Sequence, residues 1–313
     1  MSKKIKILVT TTSFQDSYGS HHEFLKKQSW EIDFLRGPLK ENELINIVQD
    51  YDGILCGDDE YTDDVLKKGA DGNLKILSKY GVGLDKINLE SAKAYNIEVR
   101  NCPGINQKSV AEHILALILT YEKNIHSQYN SVQNGSWKRL IGREVRGRTI
   151  GIIGLGAIGK ELAILSSNFG LNVLVNDIEP DSKFLDNNKV LFESFENLLS
   201  KSDYVSLNVP LNENTKHLIN KNSLKYFMED SILINTARAE VVNKFDLISH
   251  LKNKKIRAYL CDVLENEPII PSEELLGLPN VIISPHVGSR TKENIENQGI
   301  KSLENLKNFI END

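Results

Sequence analysis

The sequence predicts an α/β protein made of two units, each built on a parallel β-sheet. Short apolar runs typical of strands alternate with amphipathic runs typical of helices in both halves of the chain. Such alternation favours parallel strands joined by crossover helices. It forms two series separated by one long apolar helix, and a chain of 313 residues has room for about two domains of ~150 residues each.

The first series lies within residues 1–101. Its candidate strands are residues 5–10, 32–35, 53–56, 74–78 and 97–100, and its amphipathic segments are residues 42–48, 63–68 and 89–95. Strands that alternate with helices in this way imply one parallel sheet with crossover helices in this part of the chain.

A long apolar helix separates the two series and begins near Ser109. Ser109 and Glu112 fit a capping box, in which a hydroxyl and a carboxylate satisfy backbone N–H groups at the helix start. Apolar side chains cover most of the helix circumference: Val110, Ala111, Ile114, Leu115, Leu117, Ile118 and Leu119. Such a helix is buried on nearly all sides, either in the core of the chain or against a second subunit.

The second series starts at residue 149. Its candidate strands are residues 149–153, 172–176, 204–208, 232–235, 258–261 and 281–284. A last helix-like segment, residues 291–309, is long enough to pack back on the first series. Pro103 and Gly104 redirect the chain before the long helix and suit a crossing between domains. We predict a discontinuous domain of residues 1–101 and 290–313 and a second domain of residues 102–289.

Charge and cysteine content exclude several classes of protein. Lys and Arg number 38 against 43 Asp and Glu, a formal net charge of −5, which argues against a basic face for nucleic acid. Cys56, Cys102 and Cys261 form neither a disulfide framework nor a zinc motif, so we expect the reducing cytoplasm and no metal. The most apolar stretch, residues 114–119, is far shorter than the ~20 residues that span a bilayer, so we expect no membrane partner.

A glycine-rich turn follows the first strand of the second series. Gly154, Gly156 and Gly159 form the pattern GxGxxG between a strand and a helix-like run, and Asp177 ends the next strand. In a dinucleotide-binding turn the three glycines allow the tight turn, the approach of a pyrophosphate and close helix packing. The helix N-terminus attracts the phosphates. Asp177 accepts hydrogen bonds from a ribose and repels the 2′-phosphate of NADP, so the sequence favours NAD.

Three polar residues follow later strands of the same series, where an open α/β sheet presents its ligands. Arg238 can bind a carboxylate with two hydrogen bonds, and His286 can exchange a proton near neutral pH. A carboxylate beside that histidine can orient it and raise its pKa. From spacing alone, Glu265 and Glu267 both remain candidates for the carboxylate. With a nicotinamide, these groups suit hydride transfer between an alcohol and a carbonyl next to a carboxylate.

With these motifs in order, the chain resembles the D-isomer-specific 2-hydroxyacid dehydrogenases, especially their phosphoglycerate-dehydrogenase-like branch. The resemblance covers nearly the whole chain and rests on residues 80–85, 103–106, 109–112, 154–159, 209–211 with Thr215, 235–238, 262–268 and 284–286. It implies two Rossmann-like lobes around a cleft that holds NAD. The implied reaction is hydride transfer between nicotinamide and a D-2-hydroxy acid or its 2-oxo acid.

The same resemblance implies a role for each site residue. Arg238 would hold the substrate's carboxylate and carbonyl oxygen, His286 would be the acid/base, and Glu267 would be its partner. Asp262 would face the nicotinamide carboxamide. The implied cofactor-binding residues are Gly154, Gly156, Ala157, Ile158, Gly159, Asp177, Pro210, Thr215, Thr236, Ala237, Asp262 and Gly288. The implied substrate-binding residues are Lys79, Gly81, Val82, Gly83 and Asn106, with the Gly81–Gly83 backbone on the substrate carboxylate. A homodimer with the long helix at its interface is also implied.

One departure from the family pattern and two alternatives accompany this prediction. The family usually has glycine after the catalytic arginine, whereas Ala239 and Glu240 follow Arg238 here. Lys79, with Lys138 and Arg139 from a segment that could reach a partner subunit, would suit a second anionic group such as a phosphate, but surface lysines are usually solvated. The rival function is an NAD(H)-sensing binding protein that resembles co-repressors of the same fold.

Overall fold

The computed structural model describes residues 4–188 and 190–311. Its internal contacts divide the chain into two compact units, unit 1 (Met1–Asn106 and Arg290–Asp313) and unit 2 (Gln107–Ser289). The first segment of the predicted domain ends at residue 101, whereas the first segment of unit 1 ends at Asn106. The second segment begins at residue 290 in both. The ends of that predicted domain, residues 1–3 and 312–313, lie outside the described residues.

Within the described residues, unit 1 contains a five-stranded parallel sheet in the order β2-β1-β3-β4-β5. The strands are β1 (Lys6–Val9), β2 (Glu31–Phe34), β3 (Gly53–Cys56), β4 (Ile76–Lys79) and β5 (Glu98–Arg100). The helices between them are α1 (Thr12–Asp16), α2 (Ser20–Lys26), α3 (Glu41–Leu44), α4 (Asp63–Asp71) and α5 (Leu89–Ala94), with a 3₁₀ helix at Val48–Asp50. Every residue of β3 and β4 is buried, as expected for central strands of a parallel sheet covered on both faces.

Unit 2 contains a seven-stranded parallel sheet among the described residues, in the order β12-β11-β10-β9-β6-β7-β8. The strands are β6 (Thr149–Ile153), β7 (Asn172–Asn176), β8 (Leu191–Phe192), β9 (Tyr204–Leu207), β10 (Ile232–Asn235), β11 (Ala258–Cys261) and β12 (Val281–Ile283). The helices are α6 (Gln107–Glu122), α7 (Ile125–Gln133), α8 (Ala157–Phe169), α9 (Ser182–Asn188), α10 (Phe195–Lys201), α11 (Lys221–Leu224) and α12 (Lys244–Lys252), with a 3₁₀ helix at Ala239–Val241. The order is that of a Rossmann fold with one further strand.

The long helix α6 lies in the core of unit 2. Its apolar side chains pack with those of α8 and the sheet, and the exposed residues Lys108, Glu112 and Ala116 form one narrow strip. The single chain therefore already buries this helix on most sides. The predicted capping box is wrong, because the helix begins at Gln107 and Ser109 lies inside its first turn.

The last helix, α13 (Lys292–Ile310), packs against α2 and β4 of unit 1. The Ser78 hydroxyl donates a hydrogen bond to the Ser302 carbonyl over 2.8 Å, and the Asn305 side-chain amide donates to the Asn101 carbonyl over 3.0 Å. These bonds fix the returning chain on unit 1, as the length of the segment predicts.

Two further findings concern membrane spanning and the cysteines. Among the described residues, the longest helices are too short or too polar to cross a membrane. The three cysteines are free and buried.

Candidate active site

The order in which the chain adds strands to the sheet of unit 2 reverses at β6. The chain moves outward through β7 and β8 on one side of β6 and through β9 to β12 on the other. Ligands of open α/β sheets bind at the carboxyl ends of the strands beside such a switch point. The predicted glycine turn follows β6 directly, so the sequence motif and the topology mark the same place in unit 2.

The three glycines of this turn meet different surroundings. Gly154 has a φ of +95° and lies so close to the Asn208 carbonyl oxygen that a Cβ would approach it to 2.6 Å. A Cβ on Gly159 would clash with the Gly154 carbonyl oxygen. A Cβ on Gly156 would have no described atom within 4 Å, apart from its chain neighbours and its own helix. The turn is therefore closed toward the protein and open above Gly156, where α8 begins, which fits an approaching pyrophosphate.

Asp177 follows β7 and binds the same turn. One of its carboxylate oxygens accepts the Leu155 N–H over 2.5 Å, and the other accepts the Glu179 N–H over 2.9 Å. A carboxylate can accept about four hydrogen bonds, so capacity for ribose hydroxyls remains. Lys160 of α8 pairs with Asp181 over 2.6 Å. The carboxylate and its surroundings fit NAD and disfavour a 2′-phosphate.

Two of the other expected cofactor residues stand after β9. The Thr215 hydroxyl donates to the Pro210 carbonyl over 2.5 Å and accepts the Asn212 N–H over 2.8 Å. These bonds close a loop at the carboxyl end of β9, beside the glycine turn.

Arg238 stands after β10 in a segment held by Asn235. The Asn235 amide donates to the Arg238 carbonyl over 2.8 Å, and its oxygen accepts the Ala237 N–H over 3.0 Å, with Thr236 between them. The Arg238 guanidinium donates to the Ala237 carbonyl over 2.7 Å. Ala239 begins a 3₁₀ helix, a conformation that alanine adopts readily, so the departure from glycine is accommodated by the backbone.

The two candidate acids after β11 have different partners. Glu267 Oε2 lies 2.7 Å from His286 Nδ1, and its other oxygen accepts the Leu264 N–H over 2.8 Å. Glu265 instead pairs with Lys244 over 2.7 Å. The structure therefore joins His286 to Glu267 and directs Glu265 to an ion pair.

Asp262 is buried, and both of its oxygens hold the loop that carries His286. They accept hydrogen bonds from the Ser284 hydroxyl over 2.5 Å, the Val287 N–H over 2.9 Å and the Gly288 N–H over 2.7 Å. His113 of α6 lies against this group, and sequence reasoning missed it. The available signal was a titratable side chain directly before the apolar run 114–119 of α6.

Of the expected substrate residues in unit 1, Lys79 ends β4 and residues 81–83 follow it, whereas Asn106 directly precedes α6. Lys79 is 4% exposed, and its ammonium pairs with Asp58 over 2.7 Å. Gly81 has a φ of +125°, and the Val82 carbonyl accepts the Asn101 amide over 2.7 Å. Gly83 and Asn106 are half-buried. Lys79 is thus a buried, charge-compensated residue and not a solvated one.

No group of three His, Cys, Asp or Glu side chains that could hold a metal ion occurs in the part of the chain that the structure describes.

The site of unit 2 is that of a nicotinamide-dependent dehydrogenase. This class is defined by the Rossmann sheet, the open glycine turn, the acid after β7 and the histidine–carboxylate pair after β11 and β12.

Comparison with known proteins identifies the family. The family model for the D-isomer specific 2-hydroxyacid dehydrogenase, NAD binding domain, matches residues 115–288. A hydroxypyruvate reductase of Thermotoga maritima is 34% identical over 284 residues, which are 88% of this chain and 90% of that protein. A D-3-phosphoglycerate dehydrogenase of Archaeoglobus fulgidus is 34% identical over 289 residues, which are 92% of this chain and 54% of that protein. The solved structure of the TT0316 protein of Thermus thermophilus has a TM-score of 0.88 at 29% identity and covers 98% of this chain and 97% of its own.

The chain belongs to the D-isomer specific 2-hydroxyacid dehydrogenase family. It is an oxidoreductase that acts on 2-hydroxy acids or their 2-oxo acids, and its cofactor is NAD. These relatives are named as reductases and dehydrogenases, so the alternative of an NAD(H)-sensing binding protein is not favoured.

Proposed function

We propose that the chain reduces a small 2-oxo acid to the D-2-hydroxy acid, with His286 as acid/base and Glu267 as its partner. The observation that carries the proposal is the 2.7 Å contact between Glu267 Oε2 and His286 Nδ1. A carboxylate in this position fixes the ring and stabilises the imidazolium. The Leu264 N–H in turn holds the carboxylate.

The reaction adds one hydride and one proton to the carbonyl group. NADH supplies the hydride when it is bound. His286, with Nδ1 on Glu267, delivers the proton from Nε2 to the carbonyl oxygen and recovers it in the oxidative direction. The Arg238 guanidinium binds the carboxylate and polarises the carbonyl oxygen, because its planar donors match two adjacent oxygens.

We assign the cofactor to residues of unit 2. The turn of Gly154, Gly156, Ala157, Ile158 and Gly159 would take the pyrophosphate, and Asp177 the ribose. Pro210, Thr215, Thr236, Ala237 and Gly288 would line the remainder, and Asp262 would contribute by holding the loop of His286. In this proposal residues 102–289 are the NAD-binding domain and residues 1–101 and 290–313 the substrate domain.

We assign further substrate contacts to unit 1, namely the backbone of Gly81, Val82 and Gly83 together with Asn106 and Lys79. Asp58 compensates the charge of Lys79, which favours a substrate with one carboxylate over a phosphorylated one. The relative named as a hydroxypyruvate reductase, of similar length to this chain, supports the same class of substrate.

We further propose a homodimer in the cytoplasm. Helix α7 and the segment after it expose apolar side chains, with Tyr129 62%, Trp137 81% and Ile141 96% exposed. Where such side chains form one patch, they mark an interaction site. The free cysteines agree with a reducing compartment.

A turnover screen tests the activity. Loss of NADH absorbance is measured with hydroxypyruvate, glyoxylate, pyruvate and 3-phosphohydroxypyruvate, each also with NADPH. We expect turnover of one of the first three, a higher kcat/KM with NADH than with NADPH, and a smaller difference in the Asp177→Ser variant. Preference for 3-phosphohydroxypyruvate would overturn the substrate assignment, and equal use of NADPH would overturn the role of Asp177.

A further inference from the structure

The turn that carries His286 is anchored to one buried carboxylate. His286 has a φ of +52°, in the left-handed region that residues other than glycine adopt rarely. A backbone in such a conformation persists only where its surroundings hold it. The N–H groups of the next two residues, Val287 and Gly288, both donate to Asp262, which is 2% exposed.

Gly288 allows this close approach. A Cβ at this position would lie 2.9 Å from Asp262 Oδ2 and 3.4 Å from His113 Cδ2. The carboxylate and the imidazole therefore pack directly on the backbone of the turn, where a larger residue would displace them.

His113 extends the anchor to α6. Its Nε2 lies 2.9 Å from Ser284 Oγ and 3.4 Å from Asp262 Oδ1. The Ser284 hydroxyl donates its one proton to Asp262 over 2.5 Å, so its oxygen accepts from His113 Nε2. The bonds thus run in one direction, from His113 through Ser284 to Asp262.

We propose that His113 is a positioning residue, which fixes the turn of His286 through Ser284 and Asp262. The catalytic consequence rests on the proposed role of His286, whereas the anchor itself does not. The charge of Asp262 agrees with this arrangement. Burial alone would raise the pKa of Asp262, but the nearby imidazole of His113 and the hydrogen bonds from Ser284 and the two amides outweigh it and hold the pKa below its ordinary value.

Amide hydrogen exchange tests the anchor without turnover. Exchange of the Val287 and Gly288 amides is measured by NMR in the cofactor-free protein. We expect slow exchange in the unmodified chain and roughly fivefold to tenfold faster exchange in His113→Ala, about the worth of one hydrogen bond. His250→Ala is the control, because it removes another half-buried imidazole from a helix of unit 2, where Nδ1 contacts the Asp246 carbonyl. Unchanged exchange in His113→Ala, or an equal increase in His250→Ala, overturns the proposal.

Kinetics then separate positioning from packing. A small displacement of a reacting group can cost up to about a hundredfold in rate, and we expect His113→Ala to lower kcat about tenfold with unchanged NADH affinity. His113→Gln keeps an N–H donor and should recover most of kcat. Ser284→Ala should cost about as much as His113→Ala, and the double variant should lose no more, because the two residues act in one relay. Additive losses, or no recovery by glutamine, contradict the relay.

The two proposals fail in different ways. If the unmodified protein turns over no 2-oxo acid but exchange responds as expected, the proposed function fails and the anchor stands. If turnover is normal and exchange does not respond to His113→Ala, the anchor fails and the function stands.

Discussion

The two units have the same kind of sheet but opposite arrangements at their switch points. In unit 1 the chain changes direction between β1 and β3. There the Thr10 hydroxyl donates to Asp59 over 2.5 Å, and both residues are fully buried. In unit 2 the corresponding position lies between β6 and β9, where the glycine turn leaves the space above Gly156 open. One switch point is filled by a hydrogen-bonded pair and the other is kept clear.

The fold therefore provides a position, and the side chains at that position determine how it is used. Asp59 accepts hydrogen bonds from Thr10, Leu39 and Gly57 and so ties loops of unit 1 together. In unit 2 a buried aspartate follows β11 instead. This residue, Asp262, holds the loop of His286 by hydrogen bonds.

The largest effect is expected at His286, on the loop of unit 2 that Asp262 holds. General acid–base catalysis contributes about 10²–10⁴-fold, so His286→Ala should lower kcat by that factor while NADH still binds. Steady-state kinetics and NADH fluorescence titration measure the two quantities. A near-normal kcat would show that another group moves the proton.

The next largest effects are expected in the glycine turn, at Gly156, which is open above, and at Gly159, which is packed against the backbone. Gly156→Val should weaken NADH binding roughly tenfold to hundredfold, the usual 1–3 kcal/mol of overpacking, without lowering Tm. Gly159→Ala should lower Tm, because its Cβ would clash with the Gly154 carbonyl oxygen. Calorimetry and NADH titration of both variants check the contrast. Full NADH affinity in Gly156→Val would mean that the pyrophosphate does not bind there.

A smaller effect distinguishes the two buried aspartates by pH. Burial raises the pKa of Asp59 despite its hydrogen bonds, so its stabilising contribution is present at low pH and is lost as pH rises through the folded-state pKa. The pKa of Asp262 is lowered, so its contribution is present above the unfolded-state pKa and is lost as pH falls through the folded-state pKa.

We therefore expect opposite pH trends when each aspartate is replaced by asparagine. The stability lost in Asp59→Asn should shrink as pH rises, and the stability lost in Asp262→Asn should shrink as pH falls. Each change should be on the order of 1 kcal/mol. Denaturant unfolding across the pH range checks the slopes, and parallel slopes would contradict the distinction.

The sequence predicts strands better than it predicts contacts between distant residues. The ranges 149–153, 172–176 and 258–261 coincide with β6, β7 and β11, because compact apolar runs end at polar or glycine residues. Strand β8 was missed, since two exposed residues carry no pattern. The predicted capping box is wrong because α6 begins at Gln107, two residues before Ser109.

The site residues show the same limit. The glycine turn is local, and its spacing alone indicates a strand, a turn and a helix. The contact of His113 with Ser284 joins residues 171 positions apart. Lys79, at the end of β4, pairs with Asp58, which follows the neighbouring strand β3. Such partners depend on the topology of the sheet, which residue spacing does not encode.

Glu267, and not Glu265, contacts His286 in the structure. The most direct measurement is kcat/KM against pH for Glu267→Gln and Glu265→Gln in the reductive direction, since this ratio reports the essential groups of the free enzyme. Reduction requires protonated His286, so its rate falls as pH rises. Removing the Glu267 charge destabilises the imidazolium, and the fall should move to lower pH in Glu267→Gln and stay in place in Glu265→Gln. A shift in Glu265→Gln with none in Glu267→Gln would contradict the pairing of Glu267 with His286.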